Sequence, residues 1–96
     1  MDFTWNRLKA MANDRKHGVS FPEAMTVFGD PLSLTAIDPE HSRAEERFVT
    51  MGTSTAGRLL VVIHADGDNE VRIISARVAT RRERKEYEDG RFPADE

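Results

Sequence analysis

The sequence predicts an α+β fold: a curved antiparallel sheet, two N-terminal helices on one face of it, and a helix closing the C-terminus. Three observations support this. Helical spacing and helix-end signals fill residues 7–28. From Leu32 onward the apolar period changes to two, in short runs separated by turn residues. The connections between the later runs are too short for parallel crossovers, which need a dozen residues or more, so these strands form a meander.

The elements follow in order. Phe3 and Trp5, spaced by two, mark a short strand over residues 2–6. Arg7 to His17 reads as a helix with Leu8, Met11, Ala12 and Arg15 on one stripe, and Lys9, Asn13, Lys16 and His17 beside it. Gly18 stands where a left-handed terminating residue belongs. Ser20-Phe21-Pro22-Glu23 has capping-box form, and Phe21, Ala24, Met25 and Phe28 supply the apolar face of a second helix that Gly29-Asp30-Pro31 ends. Leu32, Leu34 and Ala36 alternate as a strand. After the interruption Asp38-Pro39-Glu40-His41-Ser42, Glu46–Gly52 resumes as another. Arg58–His64 is the most hydrophobic segment and is predicted to be a central strand. Ala65–Asn69 forms a hairpin loop, and Glu70–Val78 returns as a strand. Thr80-Arg81-Arg82-Glu83 is a second capping box, opening a last helix to about Asp89.

Ninety-six residues at 10.9 kDa suffice for one domain, 1–96, with a folded core over about 3–88 and a frayed tail over 90–96. The absence of cysteine excludes disulfides, thiolate zinc sites and a cysteine nucleophile. The longest apolar run, Leu59–Ile63, is far short of the ~20 residues of a membrane helix, and residues 1–5 carry no secretory signature. A cytoplasmic location away from membranes is expected.

The net charge of −3 hides an asymmetry. Between Arg72 and Arg91 stand seven basic residues, six of them arginine, against four acids; the remainder is strongly acidic. Arginine's planar fork suits phosphate and carboxylate, so the segment fits an anionic ligand or an acidic partner. On the strand Glu70–Val78, strict alternation sends Arg72 and Arg77 to opposite faces unless a bulge intervenes. Two explanations are open for them: a carboxylate partner such as Glu46, or a concave sheet face holding phosphate. Arg47 points away from the core if Phe48 faces it. Lys16 and His17 end the first helix, where positive charge suits the dipole, whereas Arg81 and Arg82 open the last helix, where it does not. Arg58, near a loop, is expected to matter little. His17, His41 and His64 share no metal-ligand spacing, and no nucleotide-binding glycine loop or nucleophile elbow occurs. No metal or other cofactor is expected.

Together the motifs resemble one family. Phe3-x-Trp5, Asn13-Asp14-Arg15-Lys16-His17-Gly18-Val19-Ser20-Phe21-x-x-Ala24 and Val27-Phe28-x-Asp30-Pro31 are similar to the N-terminal half of the BrnT family. Glu45-Glu46-Arg47, Gly52-x-Ser54, Gly57-Arg58, Arg72-Ile73-Ile74-Ser75-Ala76-Arg77-x-Ala79 and Glu83-Arg84-x-x-Tyr87 resemble its C-terminal half. The resemblance implies a RelE-like fold and a ribonuclease toxin of a type II toxin–antitoxin system. It also implies a BrnA-like ribbon-helix-helix antitoxin, a heterotetramer with it, and operator DNA reached only through the antitoxin. RelE-like toxins activate the ribose 2′-hydroxyl against the adjacent phosphate, which needs cations and proton transfer but no metal. On that view Arg47, Arg72 and Arg77 stabilise charge, and Lys16, His17, Glu46 or Tyr87 transfer protons or position the substrate. Trp5, Arg81 and Arg82 contact RNA. The alternatives are a non-catalytic module docking an acidic partner through its arginines and a DNA-binding repressor subunit. The latter lacks a helix-turn-helix or basic ribbon.

Overall fold

The computed structural model describes residues 1–38, 40 and 45–92. Along the chain lie β1 (Asp2–Trp5), α1 (Arg7–His17), α2 (Phe21–Thr26), a 3-10 turn (Val27–Gly29), β2 (Leu34–Ile37), β3 (Phe48–Thr53), β4 (Leu59–Gly67), β5 (Glu70–Val78) and α3 (Arg81–Asp89).

Local chemistry sets the helix ends. Asn6 caps α1 by accepting from the Lys9 amide at 3.0 Å, and Gly18 closes it with φ 67°. Ser20 caps α2 with Pro22 in the first turn. Thr80 and Glu83 form a reciprocal capping box on α3, which Gly90 ends at φ 70°. Beyond it Phe92 packs back onto the protein, so the expected tail is folded to that point.

The five strands run in the order β1-β5-β4-β3-β2. β2 through β5 form the expected antiparallel meander, but β1 lies parallel to β5, so the sheet is mixed. The long excursion through two helices and three strands between β1 and β5 gives the chain room to return in the same direction. The larger core lies between the sheet and the N-terminal helices, where Val19, Phe21, Ala24 and Val27 meet Leu60, Val62, Ile73 and Ala76. On the other face α3 covers a smaller cluster of Met51, Leu59 and Val61 with Tyr87. Gly52 lets the 3-10 turn approach β3: a Cβ there would lie 2.9 Å from Val27 Cγ1 and 3.0 Å from the Ser33 Cβ.

Two details depart from the simple pattern and together make the site. First, α1 turns the reverse of its expected face inward. Leu8 is 75% and Met11 50% exposed, while Ala10, Asn13 and His17 face the protein. The cause is Asn13. β1 ends opposite Ile73, leaving the outer edge of β5 beyond it unpaired. The Asn13 amide takes the place of a strand there, donating to the Ala76 carbonyl at 2.9 Å and accepting from the Ala76 amide at 3.1 Å, with a further bond to the Val19 carbonyl. Buried backbone groups must be satisfied, and this outweighs the burial of Leu8 and Met11.

Second, β5 carries a bulge. Ser75 pairs with Ile63, but His64 pairs with Ile73, leaving Ile74 as the extra residue. The bulge reverses the alternation, so Arg72 opposite Ala65 and Arg77 opposite Val61 share one face of the sheet.

Candidate active site on the open sheet face

The face opposite the N-terminal helices is only partly covered by α3. Its open part is a cleft of about 520 Å³, floored by Val49, Val61, Ile63 and Ser75, with His17, Arg77 and the carboxylates Asp38, Glu40 and Glu83 at its wall. His17 reaches it because Asn13 clamps the last turns of α1 against the edge of β5. At the other end of the face stand Arg72 and Arg47, both directed to Oε1 of Glu45; the Arg47 pair measures 3.9 Å. The partners of Arg72 and Arg77 on β4, Ala65 and Val61, are four steps apart, so the two lie roughly 13 Å apart along the strand. They are turned to different carboxylates, Arg72 to Glu45 and Arg77 to Glu83, and so offer two separate positions for anionic groups.

Each arginine has a carboxylate partner, and it is not Glu46, which is exposed. Arg77 donates to both oxygens of Glu83, at 2.7 and 2.8 Å. That fork, helped by the Thr80 amide, overcomes the burial cost and holds the Glu83 carboxyl down at about 2, while the Arg77 guanidinium is pushed up in turn. Two further N–H groups and Nε of Arg77 remain for a ligand. Arg72 and Glu45 are 40% and 45% exposed, so their pair is solvated and easily exchanged for another anion.

Other residues singled out in the sequence lie elsewhere. Tyr87 stands outside the cleft: its hydroxyl donates to Asp30 Oδ2 at 2.5 Å and accepts from Thr53, which ties α3 to the far end of β3. The bond to Asp30 raises the phenol above its ordinary range, opposite to what a proton donor at neutral pH needs. Trp5 packs edge-on to Phe21 at 6.0 Å on the core face, so its ring is committed to packing. Arg81 and Arg82 are exposed on α3, outside the cleft wall. Lys16 is exposed beside His17 at the end of α1. Arg58 is far from idle. It binds Glu23 through two donors at 2.6 and 2.9 Å and the Gly18 carbonyl at 3.0 Å, locking α2 and the end of α1 to β4. This bond, against the cost of burial, keeps the Glu23 carboxyl below its usual range.

Glu83, Ser75 and Asn13 are the residues that sequence reasoning passed over. Glu83 was visible as the third helical residue of a capping box; its second task required the bulge. His64 forms a chain that resembles a catalytic triad in connectivity, with Asp66 at 2.6 Å on Nδ1, Thr50 at 2.7 Å on Nε2, and Thr35 on Thr50 at 2.7 Å. Thr50 is 1% and His64 2% exposed, between the rings of Phe28 and Phe48, so no substrate reaches them and the network joins β2, β3 and β4. Among the described residues no three His, Asp or Glu side chains gather as a metal site, and no helix is long and apolar enough to cross a membrane. His41 lies outside the described residues.

The chain is a small α+β domain with arginines at both ends of an open sheet face and a histidine at one of them. Residues 5–83 match the family of BrnT ribonuclease toxins of type II toxin–antitoxin systems. The chain belongs to that family. Its fold is similar to the crystal structure of the Brucella abortus ribonuclease toxin BrnT, with a TM-score of 0.62 and 21% identity over 84% of this chain and 99% of that one. No curated protein sequence matches the chain.

Proposed function

We propose that this chain is a metal-independent endoribonuclease, the toxin of its pair, and that RNA lies along the open sheet face. The observation that carries the reading is the bulge at Ile74, which sets Arg72 and Arg77 on one face with His17 beside the second. Cleavage proceeds at the Arg77 end. His17, in its neutral form, accepts the proton of a ribose 2′-hydroxyl, whose oxygen attacks the adjacent phosphorus. The unused donors of Arg77 stabilise the added negative charge of the phosphorane. The bond to the 5′-oxygen breaks, that oxygen takes up a proton from protonated His17 or water, and the other strand end is left as a 2′,3′-cyclic phosphate. Arg72 and Arg47 hold a neighbouring phosphate, and Lys16 adds charge at the rim. Growth and translation stop as RNA is cut in the cytoplasm. A BrnA-like ribbon-helix-helix antitoxin neutralises the enzyme, in a heterotetramer that reaches operator DNA through the antitoxin alone.

A second reading has one observation in its favour: the arginines on this face already hold carboxylates, as they would in a face that docks an acidic protein segment without catalysis. Purified protein incubated with a long RNA in EDTA separates the two. Cleavage to cyclic-phosphate or 3′-phosphate ends is expected. Intact RNA under every condition, with binding of acidic protein retained, supports the docking module instead.

A further inference from the structure

The outward face of α1 combines two features that seldom coexist on a short surface helix. Leu8 and Met11 project into water, 75% and 50% exposed, with Ala12 beside them. At 100° per residue Arg15 falls between Leu8 and Met11, while Arg7 and Lys16 stand on opposite flanks of that half; the helix's one acid, Asp14, is exposed on the Arg7 flank, so basic residues outnumber it. The protein as a whole is acidic, so this is a local patch of opposite sign. The orientation is not free to relax: Asn13, 7% exposed and bonded to Val19 and Ala76, fixes the rotation of α1 about its axis.

We infer that this face is the docking surface for an acidic amphipathic segment of the antitoxin, which seats apolar side chains on Leu8 and Met11 and carboxylates against Arg7, Arg15 and Lys16. The inference rests on the toxin–antitoxin reading and adds where the partner binds. Charge complementarity selects the occupant. Aliphatic side chains offer RNA bases no stacking platform, and two large apolar residues without an aromatic are a weak membrane anchor. A peptide helix or strand with alternating apolar and acidic positions satisfies both features at once. The placement has a consequence for neutralisation. The helix axis leads from Leu8 to His17 at the cleft wall, so a segment running along α1 arrives at the mouth of the active site.

The test is binding of the full-length antitoxin encoded with this chain to the wild type, to Leu8→Ser/Met11→Ser and to Arg7→Glu/Arg15→Glu. All four positions are exposed and outside the cleft, so melting temperature and RNA cleavage by the free proteins are expected to stay near wild type. The apolar pair is expected to weaken Kd at least 100-fold. The charge pair is expected to slow association at least 10-fold at low salt and to remove most of its salt dependence. Unchanged Kd in both variants, with the wild type binding tightly, overturns the docking site and leaves the toxin–antitoxin reading standing. No binding by the wild type overturns both. Loss of self-association, or of binding to vesicles of anionic phospholipid, in the apolar variant while antitoxin affinity is unchanged assigns the face to another occupant and overturns the inference.

Discussion

Glu83→Gln isolates the contact that holds Arg77 in the cleft. In the folded protein Glu83 receives both arms of the Arg77 fork, which is the main reason its carboxyl sits at about 2 rather than 4.5. A depression of that size has an upper value of about 3 kcal/mol at about 1.36 kcal/mol per unit. Arg77 is 41% exposed, so water screens the pair, and about 1–2 kcal/mol is the reasoned cost of losing it. The amide oxygen of glutamine still accepts from the Thr80 amide, so the helix cap is spared. For a domain of this size the loss corresponds to a fall of roughly 5–15 °C in melting temperature. The pH dependence has a definite sign. Because the folded carboxyl titrates below the unfolded one, its contribution is complete above about pH 4.5 and is lost as pH falls toward about 2. Urea titrations at pH 7 and near pH 2 measure the wild-type advantage over Glu83→Gln. An advantage at pH 7 that nearly vanishes at low pH is expected. Equal stability at pH 7, or an advantage independent of pH, refutes the argument.

Arg72→Ala, whose Glu45 partner is solvated, is expected to change unfolding free energy by less than about 1 kcal/mol while RNA cleavage falls chiefly through a higher KM, because the neighbouring phosphate loses its partner. Arg58→Ala is expected to show the opposite profile, with a melting temperature clearly below that of Arg72→Ala because Glu23 and the Gly18 carbonyl lose their donor. Thermal melts and RNA cleavage on the same two preparations check both. Asn13→Leu leaves the amide and carbonyl of Ala76 without their edge partner and is expected to cost about 2–4 kcal/mol, measured by urea unfolding.

Much of the architecture is legible in the sequence because it rests on local chemistry. The span Arg7–His17 follows from its residues and the Gly18 terminator, Glu70–Val78 from its alternation, and the start of the last helix from Thr80 and Glu83. What escapes is decided by distant contacts. The phase of α1 depends on Ala76, more than sixty positions away from Asn13. The bulge at Ile74 has no glycine or proline to announce it, and it alone determines whether Arg72 and Arg77 meet on one face. The parallel placement of β1 belongs to the topology and to no local motif. For the site, residue types were informative and partners were not. Arginine in an apolar strand signalled a charged function, but Glu45 and Glu83, and the diversion of Tyr87 to Asp30, depend on which elements the fold brings together.

The proposed reaction is metal-free cleavage of RNA by the arginines and histidine on the open sheet face. Its most direct test is the rate of cleavage of a defined RNA in EDTA by the wild type, Arg72→Ala, Arg77→Ala and His17→Ala, measured with melting temperatures on the same preparations. Full wild-type activity in EDTA with cyclic-phosphate ends is expected, with losses of roughly 10²–10³ in Arg77→Ala and His17→Ala and weaker RNA binding in Arg72→Ala, well beyond any effect of stability. Activity abolished by EDTA and restored by Mg²⁺ or Zn²⁺, or three variants that cleave like the wild type, would contradict it.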